Sequence, residues 1–550
     1  MLRYTIAIGF TLLILVAAVW YFCLYATPLK ISPETTYITA PLMSDGKRVD
    51  YFRAMEEKFY PPEMKTEDNG YRLLVRAMGV QFSPRGVYIA LDTWIKREDF
   101  DPEPLRLQVY EKLGLDPNEQ PTMKPIVSPY DIIVQYDKEH PPVEGELKLF
   151  DRLWNNTFWT FDEFPMLKDW LDENMTGIDL LAEAVRKPVF FIPSVREHED
   201  ISVVETRDDL NDLVGGPVRK WARIMRVRAT YRLGIGDIDG AIDDIMTLHL
   251  LSRHAGKHGS LTMGIPSALI EGVGYSIGIG SNPEFPPTKE QIERLMREMD
   301  ALPPRPTLGD LFEMERYWHL NALQDAYHNN GGTMCCGGSC SRETGTNNIR
   351  LQEDFNVVMK GVNKHFDEQI NETFEIAKLS RNPLQFLPFF TRGRANWIVD
   401  SFITEFIPAI QREREARWRA ECAGNMQRLT LALLLYEKDH GKLPDGDWLA
   451  AIRPYLGENA DTYFRCPGSA AADNETTYVM IGGASNQVLL VETHEPQTNE
   501  PLTLESVMNV LGSNHSGSVN VGLRNGAVRS LDKDTAPDEL RKLFDGSDGL

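Results

Sequence analysis

The sequence has too few basic residues for a protein that binds nucleic acid. Lys and Arg number 58 against 80 Asp and Glu, which leaves a formal net charge of −22 over 550 residues. Binding to phosphate backbones requires clustered Lys and Arg side chains that release counterions. The acidic balance therefore excludes a nucleic-acid partner, and it mainly confers solubility.

Sequence motifs for catalysis and nucleotide binding are also missing. No G-x-S-x-G elbow supports a hydrolase built on His515 with Ser513 or Ser516, and no acid stands at a recognisable position to orient that imidazole. The glycine pairs at 337–338 and 482–483 lack the following Lys-Ser/Thr of a phosphate loop. The sequence thus predicts no catalytic residue and no cofactor. We expect His515 to anchor a hairpin loop through hydrogen bonds.

Two groups of potential metal ligands have spacings that do not suit a metal. They are His249, His254 and His258 for zinc, and Asp237, Asp239, Asp243 and Asp244 for calcium. On one helix the second and third histidines would share a face, but the first would lie about 140° from the second. The aspartates lack the bidentate glutamate of a calcium loop. We expect helix-end histidines, with capping or solvated aspartates, and predict no metal ligand.

Cysteine is scarce, with six residues in the chain. Cys422 and Cys466 are a plausible disulfide pair if the protein is exported. Cys335, Cys336 and Cys340 form a Gly-rich cluster without paired C-x-x-C spacing, which favours a local disulfide over a metal loop.

The N-terminal segment is the longest apolar run. No charged residue occurs between Arg3 and Lys30, and Ile6 to Leu24 is almost wholly apolar. A bilayer core is spanned by about 20 apolar helical residues, whereas a secretory signal needs about 7–15. The segment therefore predicts a transmembrane anchor over residues 1–30, with the bulk of the chain extracytoplasmic, either periplasmic or at the cell surface. A long cleaved signal peptide is the alternative, and it also exports the chain.

Patterning after the anchor predicts an α+β protein that is mostly helical. Residues 31–205 indicate a mixed α/β region, and 206–400 a helical domain with helix hairpins and an exposed Gly/Cys loop at 329–348. One hairpin helix should end at Gly234, and Thr288 with Gln291 should form a capping box.

Residues 401–550 combine one long helix with a small antiparallel sheet. The helical pattern runs from Pro408 to His440, roughly 50 Å, and Gly441 favours a stop. Residues 486–492 indicate a buried strand. Asn525-Gly526 predicts a hairpin with a two-residue loop that pairs Leu523 with Val528.

Several ordered motifs from about Phe402 to Lys533 resemble the pilin-like proteins of planctomycete-type bacteria, which are related to type II secretion pseudopilins. The stretches are PAIQREREAR from residue 408, CAGNMQRL from 422, YEKDHGKLP from 436 and FRCP from 464. His515 and Asn525-Gly526 are similar to the terminal His-x9-Asp-Gly signature of that family. The resemblance implies a pilin-like domain with these structural motif residues: Cys422, Asn425, Cys466, Pro467, His515, Asn525 and Gly526.

The resemblance has three departures. Asn525 replaces the usual aspartate, and the tryptophan usual after the strand at 491–492 is missing, since residues 502–507 contain none. The apolar helix that normally leads directly into the domain ends here at Leu24, far upstream.

The leading functional prediction is a membrane-anchored extracytoplasmic structural or binding protein of the cell envelope, with envelope proteins as partners. One alternative is a pseudopilin-like component of a secretion or pilus system, processed near Gly9. Another is an extracytoplasmic enzyme whose site is assembled from distant residues.

Overall fold

A computed structural model describes residues 2–19, 28–80, 103–141, 148–155, 157–193, 195, 216–257, 261–329, 354–370, 391–469, 475–482, 487–497, 499–513, 515, 517–534 and 536–545. Within this part of the chain, no helix combines the length and apolar character needed to cross a membrane.

The N-terminal region is built from short helices. They are α1 (Leu2–Val19), α2 (Tyr51–Phe59), a 3-10 turn (Pro62–Lys65), α3 (Gly70–Met78), α4 (Glu103–Leu113), α5 (Pro129–Glu139), α6 (Leu149–Asn155) and α7 (Met166–Val185). Side-chain caps define the starts of two of them, Asp50 for α2 and Asn69 for α3.

The mixed α/β character predicted for residues 31–205 is wrong for the described residues, which hold only isolated bridges such as Leu42 to Val49. Buried apolar residues of this region, such as Leu74, Ile133 and Leu181, lie on helices instead.

The middle region is helical, as predicted. Its helices are α8 (Gly216–Gly234), α9 (Ile238–Lys257), α10 (Leu261–Tyr275), α11 (Lys289–Asp300), α12 (Leu308–Asn329) and α13 (Phe355–Ile370). The hairpin of α8 and α9 turns after Gly234, and the Asp237 carboxylate caps α9 by accepting from the Gly240 N–H at 3.0 Å. The capping box of Thr288 and Gln291 is confirmed. The Gly/Cys loop predicted after residue 329 lies outside the described residues.

One helix dominates the rest of the chain. The long helix α14 (Thr391–His440) has 50 residues and is about 75 Å long. It ends as predicted, where Gly441 has a φ of 74° and donates its N–H to the Glu437 carbonyl at 2.7 Å. Its predicted start at Pro408 is wrong, because the helix continues through that proline. The predicted domain boundary at 400/401 therefore falls inside a helix.

A four-stranded antiparallel sheet follows, in the order β1-β2-β3-β4. The remaining elements are α15 (Trp448–Leu456), α16 (Ala460–Tyr463), β1 (Thr476–Met480), β2 (Val488–Gln497), α17 (Leu504–Val510), β3 (Ser518–Leu523), β4 (Val528–Asp532) and α18 (Ala536–Asp545). The sequence prediction of α+β, mostly helical, is confirmed at this level.

The hairpin register differs by one residue from the prediction. Gly522, and not Leu523, pairs with Val528. The Leu523 N–H donates to the Ala527 carbonyl at 2.8 Å, so the loop has three residues. Gly526 occupies the left-handed region at a φ of 86°, which is the conformation that such a loop requires.

The buried side chains link the predicted domains. The largest apolar cluster includes Met64 and Trp159 from the N-terminal region, Ile245 from α9, and Leu433 from α14. A second cluster packs α2, α12, α13 and the first half of α14. A third lies between the sheet and helices α17 and α18. The sheet is thereby held against the helical region through α14.

Candidate metal centre

Four buried side chains from separate elements meet where α14 packs on the sheet. Cys422 lies on the buried face of α14, and Cys466 follows α16 in the loop that leads to β1. Glu492 lies in β2, and His515 immediately precedes β3. The local pattern places Glu492 inside, because every residue from Val488 to Val491 before it is buried and apolar.

The donor atoms of these residues suit a tetrahedral metal ion. The two Sγ atoms, a Glu492 carboxylate oxygen and a His515 ring nitrogen all lie within 4.8 Å of one another. His515 Nε2 is 3.2 Å from Glu492 Oε1. Around Zn²⁺, metal–sulfur bonds of about 2.3 Å and metal–nitrogen or metal–oxygen bonds of about 2.0–2.2 Å place donors about 3.3–3.8 Å apart. Small side-chain shifts therefore suffice to close the four donors on one ion.

Outer contacts orient the imidazole and the carboxylate. Ser513 Oγ lies 2.9 Å from His515 Nδ1, and its hydroxyl donates to Glu492 Oε1 at 3.2 Å. The Asn520 backbone N–H donates to Glu492 Oε2 at 3.2 Å. On the other side of the ring, Nε2 lies 3.2 Å from Glu492 Oε1 and 3.4 Å from the Asn520 side-chain nitrogen. Second contacts of this kind are typical of metal-ligating histidines.

The two thiols are held in dry surroundings. The Tyr478 hydroxyl donates to Cys422 Sγ at 3.3 Å, and the Cys466 N–H donates to Thr477 Oγ1 at 2.7 Å. Burial, together with a hydrogen bond that the thiol donates to Cys466, raises the pKa of Cys422 well above its ordinary value. A bound cation would reverse this preference, because metals take cysteine as the thiolate.

Two predicted motif residues support the cluster from outside. Asn425 lies one turn after Cys422 on α14, and its Nδ2 donates to the Arg465 carbonyl at 3.0 Å. This bond fixes the backbone just before Cys466. Pro467 follows Cys466 in a turn closed by the Ser469 N–H donating to the Cys466 carbonyl at 2.9 Å.

The other two, Asn525 and Gly526, lie at the tip of the β3–β4 hairpin and dock on the helical region. Asn525 Nδ2 donates to Ser281 Oγ at 3.1 Å, and the Gly280 N–H donates to the Asn525 carbonyl at 2.9 Å. Asn525 Oδ1 also accepts from the Ala527 N–H at 3.0 Å. A Cβ at Gly278 would lie 2.6 Å from Asn525 Oδ1, so the loop fits against a surface without side chains.

Sequence reasoning missed Glu492 and misjudged His515. We expected no acid beside the imidazole and a role in anchoring the hairpin loop, yet His515 bonds Ser513 and faces Glu492. A glutamate that ends a run of buried apolar strand residues is the signal that could have indicated a partnered site. Ser513, His515 and Glu492 resemble a hydrolase triad in composition only, because Ser513 is 6% exposed and His515 4%.

The predicted cysteine pair is brought together without a bond, since Cys422 and Cys466 are both free thiols. Cys23, Cys335, Cys336 and Cys340 lie outside the described residues.

His249 and His254 lie in separate packing environments. His249 packs on the Tyr275 ring at 4.6 Å, and burial lowers its pKa to about 3. His254 Nε2 lies 2.9 Å from the Val185 carbonyl, and burial lowers its pKa to about 4. His258 lies outside the described residues.

The aspartates of α9 bond to protein groups. Asp239 and Asp243 pair with Arg294 at 3.0 and 2.6 Å. Asp244 departs from the expectation of solvated charge, because it is fully buried and pairs with Arg228 at 2.6 Å. These contacts account for the aspartates without calcium.

Comparisons with protein-family models, with curated proteins and with solved structures give no match. The pilin-like resemblance of residues 402–533 therefore stays a prediction.

Proposed function

We propose that this chain is a membrane-anchored extracytoplasmic structural or binding protein whose C-terminal domain is stabilised by one structural Zn²⁺ ion. The buried convergence of Cys422, Cys466, Glu492 and His515 carries the proposal of the ion. Two thiolates, an imidazole and a carboxylate are donors that zinc accepts in tetrahedral geometry. The ion would join the long helix to three parts of the sheet region.

The burial of the donors favours a structural ion over a catalytic one. The side chains of Glu492 and His515 are 0% exposed, and both cysteines are buried. Catalytic zinc keeps an open position for water or substrate, whereas structural zinc is closed by four protein ligands. Four converging protein donors leave no coordination position for a substrate.

The anchor and the location rest on the sequence of the N-terminal segment. Ile6 to Leu24 carries no charge, and the large apolar side chains of α1 that are described, from Phe10 to Val16, are 53–67% exposed. A helix with apolar side chains on every face requires an apolar environment. An extracytoplasmic body with a rigid helical core suits a role in organising or binding other envelope components.

Metal analysis of the purified full chain tests the ion. Elemental analysis by mass spectrometry, with thiol titration of the denatured chain, should give one zinc per chain and both Cys422 and Cys466 as thiols. Cys466→Ser and His515→Ala should each lose the zinc. His494→Gln should keep it, because His494 lies on the same strand but outside the cluster.

Two results would contradict the zinc proposal. One is a metal-free chain that stays so after incubation with Zn²⁺ under reducing conditions. The other is a Cys422–Cys466 disulfide in peptides from the native chain, since a cystine cannot supply two thiolates. Cobalt substitution adds a direct readout, because tetrahedral Co²⁺ with thiolate ligands absorbs in the visible range.

The anchor has its own test. A reporter active only outside the cytoplasm, fused after residue 550, should be active, and the chain should stay in the membrane fraction after a carbonate wash. Intact-mass measurement should give an unprocessed N-terminus. Cleavage near Gly9 would favour the pseudopilin-like alternative, and a cytosolic reporter signal would refute the export of the chain.

A further inference from the structure

A groove separate from the zinc cluster opens between the helices and the outer face of the hairpin. It has a volume of about 1020 Å³ and is lined by residues of α6, α8, α10, α14, β3 and β4. This volume lies at the upper end of the range for small-molecule sites, roughly 300–1,000 Å³.

The floor of the groove is apolar and smooth. Ala416, Ala420 and Ala423 line it along one face of α14, and Leu269 and Val273 line it from α10. Leu269 is 60% exposed there, which is unusual for a leucine in a folded body. Gly272 also faces the groove, and a Cβ built on it would meet no atom within 4 Å.

The charge of the groove is opposite to that of the protein. Its described lining includes no carboxylate, although the chain has a net charge of −22. It does include five arginines, which are Arg152, Arg226, Arg412, Arg419 and Arg529. An acidic protein that gathers arginines around an apolar floor creates a local positive potential at that surface.

Two of these arginines lack an anionic partner among the described residues. Arg226 is 7% exposed and donates to two neutral oxygens, Ser276 Oγ at 3.1 Å and the Trp154 carbonyl at 2.5 Å. Arg419 Nε is buried, and no described residue accepts a hydrogen bond from it. Burial lowers the pKa of Arg226, with no carboxylate to oppose the effect.

Buried arginines elsewhere in this protein are compensated. Arg228 pairs with Asp244 at 2.6 Å, and Arg253 pairs with Glu271 at 2.8 Å. A buried cation without a negative partner is strongly destabilising, because nothing offsets the cost of removing its charge from water. At the groove, the described partners of Arg226 are neutral oxygens and the face of the Trp154 ring, which leaves a place for a negatively charged ligand.

We propose that the groove binds a long-chain fatty acid, with its carboxylate on Arg226 and Arg419 and its hydrocarbon chain along the apolar floor. A hydrocarbon chain suits this floor, because the helix faces that form it present no free backbone hydrogen-bonding groups. An extended peptide lying along these helix faces would leave its own amides unsatisfied. The stretch of α14 from Arg412 to Ala423 is roughly 16 Å long, so a long acyl chain must bend to stay within the groove.

Equilibrium dialysis of radiolabelled oleate against the full chain in amphipol tests this proposal. Oleate should bind with a stoichiometry of one, and oleyl alcohol should compete at least about tenfold more weakly, because a hydrogen bond to a charged group contributes about 1.5–3 kcal/mol. Arg419→Gln should weaken oleate about tenfold or more. Arg297→Gln, an exposed arginine on α11, is the matched control and should leave binding unchanged.

A second variant distinguishes a loss of oleate binding at the groove from a loss of the folded structure. Gly272→Leu places a side chain in the open groove without a clash, so it should reduce oleate binding while the thermal midpoint stays unchanged or rises. Equal binding of oleate and oleyl alcohol would overturn the proposal. So would oleate binding that both variants leave intact, or an acidic peptide that binds the groove more tightly than oleate. Zinc content is measured in the same samples, so failure of the metal proposal stays distinguishable.

Discussion

Glu413 on α14 makes the stability of this protein depend on pH near neutrality. Its side chain is fully buried, and neither carboxylate oxygen accepts a hydrogen bond from a described residue. Its carboxylate packs directly against Gly264 of α10, and both residues line a cavity of about 20 Å³ together with Arg417, one turn along α14. Burial raises the pKa of Glu413 from 4.5 to about 7, and Arg417 only partly opposes the effect.

The sign and size of the effect follow from this shift. Between about pH 4.5 and 7 the folded chain holds a proton on Glu413 that the unfolded chain releases, so stability falls as the pH rises. Integrated from pH 5 to pH 8, the loss is about 2–3 kcal/mol. Glu413→Gln removes this titration, and its stability should fall by about 2–3 kcal/mol less over the same interval.

Urea unfolding followed by tryptophan fluorescence, at several pH values from 5 to 8, measures the difference. The readout is the change of the unfolding free energy with pH, because a buried glutamine also has a cost that does not depend on pH. Glu293→Gln is the matched control, since Glu293 is exposed on α11. Parallel pH profiles for the wild type and Glu413→Gln would refute the reasoning.

Three further substitutions have defined outcomes in the same unfolding assay. Gly70→Ala should destabilise by several kcal/mol or prevent folding, because its Cβ would lie 1.8 Å from the Ala184 carbonyl oxygen; a wild-type midpoint would contradict that packing. Gly272→Ala, with open space around its Cβ, should instead stabilise by about 0.5–1 kcal/mol, and a loss would show that the groove wall is tighter than described. Asp244→Asn should cost about 3 kcal/mol, since it leaves the buried Arg228 guanidinium with only the exposed carboxylate of Asp179, and a change below about 0.5 kcal/mol would refute a role for the Asp244 pair.

Local signals predicted the helices well. The stop at Gly234, the capping box of Thr288 and Gln291, and the stop at Gly441 each depend on residues within one turn. The start of α14 was wrong because a proline is common in the first turn of a helix. Pro408 instead lies in the middle of the helix, where it removes one backbone hydrogen bond from a helix of 50 residues.

The sheet and the site depended on contacts that local patterns do not encode. Asn525-Gly526 suits either a two-residue loop or a three-residue loop with glycine in the left-handed region, and only the pairing of β3 with β4 distinguishes them. The proposed metal centre joins residues from 422 to 515 that lie on α14, on β2 and in two connecting loops. Spacing along the chain could suggest Cys422 with Cys466, but it could not add Glu492.

The contact of the hairpin tip with the segment after α10 constrains how the chain can change. The Asn525 amide reaches Ser281, a residue 244 positions earlier, and the loop rests on Gly278. An insertion at the tip would collide with that glycine surface, and a side chain at residue 278 would push the hairpin away. The length of the β3–β4 loop and the glycine at residue 278 therefore constrain each other during evolution.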